Sequence, residues 1–380
     1  MDIAGLRKQI DEIDAELLAL LDKRTRLAMD IAQAKLEQNL PLHDPQREAA
    51  MLQSAIDGSF ETLAPQEAEE FVAALLPLTR RWVVRRRRAA HVTPQRIAII
   101  GLGLIGGSLA KALKRATPAH TLTGVDLADH LQGPRDSGLF AELFTPDEGG
   151  KAVTNADVVF LCTHFEKTIE LLPALADDTP VEATVTDVSG IKEPVAKAAE
   201  EAFKSPSAPH FVGGHPMAGK AASGFENSDP ELFEGRPWVL TPTPHDPVDK
   251  MRRLSILIES VGAHVELLSP SEHDRTMAVV SHLPQLMSVA LMLTAGGRDA
   301  DVAGPALREM TRLAASPASL WNRLVGRLRK EVIGELQRAQ SYLTELEMAI
   351  NFEEPLDKWF DRANKLRAEL EADEQKRNEG

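Results

Sequence analysis

RIAIIGLGLIGGSLAKALK, residues 96–114, decides the fold of this chain. Four apolar residues, Ile97, Ala98, Ile99 and Ile100, precede three glycines in GxGxxG spacing and then a proline-free, apolar-periodic run. The pattern predicts a buried parallel strand, a tight turn and a helix. Gly101 permits the turn, Gly103 lets a pyrophosphate approach the backbone, and Gly106 lets the helix pack against the strand. The helix N-terminus offers amides and a positive dipole end to the phosphates. Asp126 follows a second apolar run, residues 121–125, at the spacing of the carboxylate that accepts from an adenosine ribose. Its charge would repel a 2'-phosphate, so the expected cofactor is NAD rather than NADP. The dinucleotide face is read as Gly101, Gly103, Leu104, Ile105, Gly106 and Asp126, with Thr163 at the end of a later strand. A glycine-rich turn without nucleotide is the bland alternative, and the flanking strand, helix and Asp126 weigh against it.

At 380 residues the chain is too long for one ordinary core and predicts several domains. With 43% hydrophobic and 26% charged residues it reads as globular, and its net charge of -14 argues against nucleic acid. Arg80, Arg81 and Arg85 to Arg88 make a local basic run, read as a solvated helix end whose cations face the negative dipole terminus. The single cysteine, Cys162, excludes an internal disulfide and sits in the apolar run VVFLC, the setting of a buried structural thiol. No apolar signal core opens the chain and no stretch is read as a membrane span, so the expected compartment is the cytoplasm. No metal site is expected.

Apolar residues recur at helical spacing over residues 3–36, a rod of roughly 50 Å at about 1.5 Å per residue. A second helix is expected at 46–56 and a third from 66 to about 84. Such a rod cannot bury its face within a small domain and calls for a partner chain. The pattern LRKQIDEIDAELLALLDKRTRLAMDIAQAK followed by DPQRE resembles the all-helical chorismate mutase family. The resemblance implies that Arg7 (from the partner chain), Arg24 and Arg47 bind the substrate carboxylates and that Lys35 meets the breaking ether oxygen. It further implies contacts from Asp44, Glu48 and Thr79. A pericyclic rearrangement needs only such a cationic cage, which holds a compact conformer and stabilises charge on the ether oxygen. Val83 stands where that family has glutamine or glutamate, and Pro77 interrupts the helix. These departures leave two readings, an active mutase or a dimerisation or regulatory arm, on a dehydrogenase of prephenate or arogenate, that has lost the activity.

Beyond the fingerprint, strands and helices alternate through residue 268, predicting a doubly wound sheet whose strand ends carry Thr163 and His164, DVSGIK (187–192) and GGHPMAG (213–219). From residue 269 the pattern is helical to about residue 370, with a frayed charged tail. DVSGIK, GGHPMAG, EHDRTMAVVSHLPQ and TRLAASPASLW are similar to the prephenate and arogenate dehydrogenase family. The whole chain therefore looks like a fusion of an all-α mutase module (1–92), an α/β Rossmann domain (93–268) and an all-α dimerisation domain (269–371), with a tail at 372–380. The resemblance implies that His215 accepts the C4 hydroxyl proton of prephenate while hydride passes to NAD and the C1 carboxylate leaves as carbon dioxide. Arg312 would hold a substrate carboxylate, His282 and Ser189 would meet substrate, and Trp321 would lie near the pocket. Two departures stand out: the order Ser189-Gly190, reversed from many relatives, and Lys220-Ala221 in place of a Thr-Glu pair. Lys220 is read either as a carboxylate contact or as a solvated side chain. The expected partners are chorismate, prephenate and a second copy of the chain, docked through the long N-terminal helix and the C-terminal helices. A different reading is a non-catalytic NAD-binding sensor, which has no use for His215 and Arg312 as a pair.

Overall fold

The computed structural model describes residues 2–38, 44–89, 92–220, 222–243, 246–296 and 302–379. The chain divides into two compact units, Met1–His91 with Arg367–Gly380, and Val92–Leu366.

In the first unit, helix α1 (Ile3–Glu37) matches the expected rod, followed by α2 (Pro45–Ile56) and α3 (Pro65–Ala89). The Asp44 side chain caps α2 by accepting from the Arg47 amide at 3.0 Å. Helix α3 packs on both others and continues through Pro77, five residues past the expected end. Proline forfeits one helical hydrogen bond, and the burial of Leu76, Thr79 and Val83 on either side of it offsets the loss. Along the outer face of α1, Ile10, Ile13, Leu17, Leu20, Leu27 and Ile31 are all exposed among the described residues. Of the basic run, Arg86 is exposed and Arg80 pairs with Glu48, while the other side chains lie outside the described residues.

The second unit is built on an eight-stranded sheet in the order β3-β2-β1-β4-β5-β6-β7-β8. Its strands are β1 (Arg96–Ile100), β2 (Thr121–Val125), β3 (Glu142–Phe144), β4 (Val158–Leu161), β5 (Thr184–Asp187), β6 (His210–Pro216), β7 (Pro237–Thr241) and β8 (His264–Leu267). All neighbours are parallel except β6 and β7, so the doubly wound sheet carries a reversed edge. Alternate residues of β1 feed opposite cores, as a strand buried on both faces requires. Ile97 and Ile99 pack with α4 (Leu104–Ala116), while Ala98 and Ile100 face the other layer. Short helices α5 (Gln132–Asp136) and α6 (Gly149–Val153) follow, then α7 (Phe165–Asp178), α8 (Glu193–Ala202) and α9 (Val248–Ser260).

The remaining chain is helical, as expected: α10 (Pro270–Met277), a π turn (Ala278–His282), α11 (Leu283–Ala295), α12 (Pro305–Thr311), α13 (Ala318–Arg327), α14 (Arg329–Asn351) and α15 (Asp357–Glu379). The tail expected to fray is helix. A third core of Phe165, Ile191, Val195, Ala278, Leu328 and Val332 joins the π turn and α14 to α7 and α8. Among the described residues one helical run, Pro270–Ala295, is long and apolar enough to cross a membrane, with mean hydropathy 1.5, contrary to the sequence expectation. Only 28% of that window is buried; His273, Asp274 and Gln285 on its covered side bond to neighbouring elements of this unit, while Val280 and Leu293 are exposed.

Candidate active site

At the glycine turn each residue does what its spacing implies. Gly101 adopts φ 96°, and a Cβ there would stand 2.6 Å from the Cys162 carbonyl oxygen. A Cβ on Gly106 would stand 1.9 Å from the Gly101 oxygen, whereas one on Gly103 would meet nothing within 4 Å. Gly103 opens α4 with no side-chain cap, so first-turn amides face the open side of the turn. Asp126 secures this turn by accepting from the Leu102 amide at 2.6 Å through Oδ2 and the Leu127 amide at 2.7 Å through Oδ1, which also lies 3.2 Å from His130 Nδ1. Thr163 lies at the end of β4, its hydroxyl 3.0 Å from that of Thr168. The cradle fits a dinucleotide. Burial pushes the Cys162 thiol far up, in keeping with a structural role. Gly106→Ala is expected to raise the NAD dissociation constant by more than about tenfold, because the turn or helix must move. Fluorescence titration with NAD checks this, and an unchanged constant removes the helix-strand contact from the cofactor site.

The carboxyl ends of β5 and β6 converge on a polar core. Asp187, fully buried, accepts from the Ser189 amide at 3.0 Å, the Gly214 amide at 2.9 Å and the Lys192 ammonium at 2.5 Å. A Cβ on Gly214 would come within 2.6 Å of the Asp187 carbonyl oxygen, so only glycine lets β6 approach β5 this closely. Burial pushes the Lys192 ammonium down, and Asp187 opposes the shift.

His215 lies within β6, paired with Val239, and not in a loop after the strand as the glycine-rich motif suggests. Its Nδ1 is 2.8 Å from Nε2 of His273, whose own Nδ1 is 2.7 Å from Asp274 Oδ1. Asp274 also accepts from the Lys192 amide at 2.7 Å and the Glu193 amide at 2.9 Å at the start of α8, tying α10 to the β5–α8 loop. Burial, then His273, Lys192 and His282, hold the His215 imidazole well below its ordinary value. His282 is likewise pushed down by burial, to about 4, and its ring meets Trp321 edge-on at 5.7 Å.

The structure thus brings His215, Ser189 and His282 into one region and adds Asp187, Lys192, His273 and Asp274, which sequence reasoning did not single out. EHD and DVSGIK carried that signal. At 100° per residue, nine helical positions would set His273 and His282 about 180° apart. One extra residue in the π turn reduces this to about 80°, which no periodicity reveals. Ser189 is buried with its hydroxyl unpartnered. The Cβ position of Gly190 is 3.7 Å from His215 Nε2, so the glycine, not the serine, stands before the imidazole. Arg312 is exposed, on a short turn held by Gln285 donating to the Leu313 carbonyl at 2.7 Å and Ser288 accepting from the Ala314 amide at 3.0 Å. No hydrogen bond or ion pair among the described residues joins it to the histidines. Lys220 pairs with Asp229 at 2.7 Å, and Ala221 lies outside the described residues.

In the first unit, Arg24 donates to the Thr79 hydroxyl at 2.5 Å. Lys35 Nζ is 3.8 Å from Asp44, and Arg80 Nε is 3.2 Å from Glu48, a pairing sequence reasoning missed. Val83, one turn beyond Thr79, is buried hydrocarbon. Arg7 and Arg47 are exposed.

Residues 6–82 match the family model for chorismate mutase type II, residues 109–267 that for the prephenate dehydrogenase nucleotide-binding domain, and residues 269–362 that for the prephenate dehydrogenase dimerization domain. Prephenate dehydrogenase of Bacillus subtilis is 32% identical over 59% of this chain and 62% of its own length. Cyclohexadienyl dehydrogenase of Zymomonas mobilis is 30% identical over 59% of this chain and 78% of its own. A crystal structure of prephenate dehydrogenase from A. aeolicus, with hydroxyphenyl propionate and NAD+, covers 74% of this chain and 99% of that one at 28% identity and a TM-score of 0.66.

Proposed function

Since the chain belongs to the prephenate dehydrogenase family and carries a chorismate mutase module ahead of it, we propose that it performs two successive steps of tyrosine biosynthesis. The first unit rearranges chorismate to prephenate. The second oxidises and decarboxylates prephenate to 4-hydroxyphenylpyruvate with NAD. The observation that carries this reading is a half-buried imidazole bonded to His273 at the carboxyl end of β6, in the same sheet whose β1 ends in a dinucleotide cradle.

The glycine turn of Gly101, Gly103 and Gly106, with Asp126, would hold NAD, which would supply the acceptor for a hydride from ring C4. His215 accepts the C4 hydroxyl proton as positive character builds on that carbon, and returns it to the phenol oxygen once the C1 carboxylate has left as carbon dioxide. Aromatisation drives the step. Arg312 is assigned to a substrate carboxylate, where a planar guanidinium offers a bidentate fork. Its exposure in a single chain is in keeping with a pocket completed on binding. His282, Ser189 and Trp321 line the same region. In the first unit Arg24, Arg47 and Arg7 of a second copy bind carboxylates, Lys35 faces the ether oxygen, and Asp44, Glu48 and Thr79 orient them. The dimerisation domain and the bare apolar face of α1 support a homodimer. The cytoplasm is the proposed compartment, and the domain limits 1–92, 93–268 and 269–371 are retained.

Purified chain given NAD and prephenate is expected to form NADH, whereas a sensor binds NAD and forms none. The same assay reads the base. A depressed imidazole stays neutral, and able to accept a proton, until the pH falls through its lowered value. The acid limb of kcat/KM should therefore lie below pH 6.5, the value of an unperturbed histidine. His273, His282, Lys192 and the carboxylates Asp187 and Asp274 surround the ring, so their charges belong to that profile. An acid limb at or above 6.5 argues against a desolvated base.

A further inference from the structure

Building on the reading of His215 as proton acceptor, we propose that Asp274 and His273 are positioning residues that lock His215 in the tautomer presenting a bare Nε2 to substrate. The argument starts at Asp274, whose two oxygens already accept from the amides of Lys192 and Glu193. A carboxylate so engaged is an acceptor only, and His273 Nδ1, 2.7 Å from Oδ1, must donate to it. A neutral imidazole carries one N–H. Nε2 of His273 is then a lone pair, and His215 Nδ1, 2.8 Å away, must donate in turn. That leaves Nε2 of His215 unprotonated. It faces Gly190, whose missing side chain leaves the approach open.

The lock requires a neutral His273. An imidazolium there would donate to His215 Nδ1 and force the proton onto Nε2, which makes His215 useless as a base. Burial lowers His273, and Lys192 nearby adds to that effect, while Asp274 opposes it. The arrangement extends to a histidine pair the logic by which the carboxylate of a Ser-His-Asp triad fixes its imidazole.

The test uses the full chain labelled with 15N-histidine. Long-range proton-nitrogen correlation at neutral pH is expected to show His215 with its proton on Nδ1, the signal being assigned by its disappearance in His215→Asn. In His273→Leu, His215 should become a mixture of tautomers and kcat should fall by about 100-fold with the prephenate KM within about threefold. His273→Gln, whose carbonyl can still accept from Nδ1, should recover at least about tenfold of that loss. A wild-type His215 protonated on Nε2 overturns the proposal, as does an unchanged tautomer in His273→Leu. Should the leucine variant fail to fold, the wild-type spectrum decides alone. An Nδ1 proton together with full activity in His215→Asn would instead retire the base assignment and leave the tautomer chain standing.

Discussion

His215→Asn is expected to lower the turnover number for prephenate oxidation by about 10²- to 10⁴-fold while leaving the substrate KM within about threefold. The asparagine amide occupies the Nδ1 edge of the ring, so the contact to His273, 2.8 Å in the native chain, can persist. What disappears is the Nε2 lone pair. A group that acts on a proton only as the hydride departs contributes mainly in the transition state, and its removal therefore appears in kcat. The loss is equivalent to roughly 3 to 6 kcal/mol of barrier at about 1.4 kcal/mol per tenfold. NAD affinity should not change, because the cradle of Gly101, Gly103 and Gly106 touches none of these atoms. Steady-state NADH formation on both proteins, with a parallel NAD titration, measures it. An unchanged turnover number would require another residue to take the proton.

The nucleotide half of this site is written in one continuous stretch, and that is why it could be read. Strand, turn and helix are adjacent, and each glycine answers a local backbone demand that no other residue meets. Strand β3 escaped notice because three residues at a sheet edge carry no period. The extension of β6 to His215 was hidden for a different reason: consecutive glycines read as loop, whereas here they admit Asp187 and Trp238 to the strand's flanks. Helix α15 has no strong apolar stripe to announce its last turns. Least legible was the support beneath His215. Asp187 ends β5 and Lys192 stands at the start of α8, His273 and Asp274 lie some 80 residues on in α10, and their meeting depends on long-range packing, as that of His282 depends on a π turn. Chemistry set by long-range packing leaves residue types in the sequence but not their partners.

The same limit bears on the first unit, where Lys35→Ala is expected to cut NAD-independent chorismate consumption by more than about 100-fold and to leave NADH formation from prephenate unchanged. A pericyclic rearrangement gains from any cation or donor that meets the ether oxygen as its bond breaks. In relatives of this type two groups share that task by resemblance, a lysine and a glutamine or glutamate one turn beyond the family serine. Arg24 bonding to Thr79 fixes the register of α3 against α1, and in that register the second position is Val83, buried and without a polar atom. On the proposed assignment Lys35, 3.8 Å from Asp44, is the cation that meets the developing charge. Its removal should therefore cost more than where a second donor remains, and the loss should fall on kcat if Arg24 and Arg47 hold the carboxylates as proposed. Equal chorismate consumption by wild type and variant would show that Lys35 does not face the ether. A wild-type chain that consumes none would make Val83 the decisive change, and the three helices a dimerising arm whose exposed α1 seam is their remaining use.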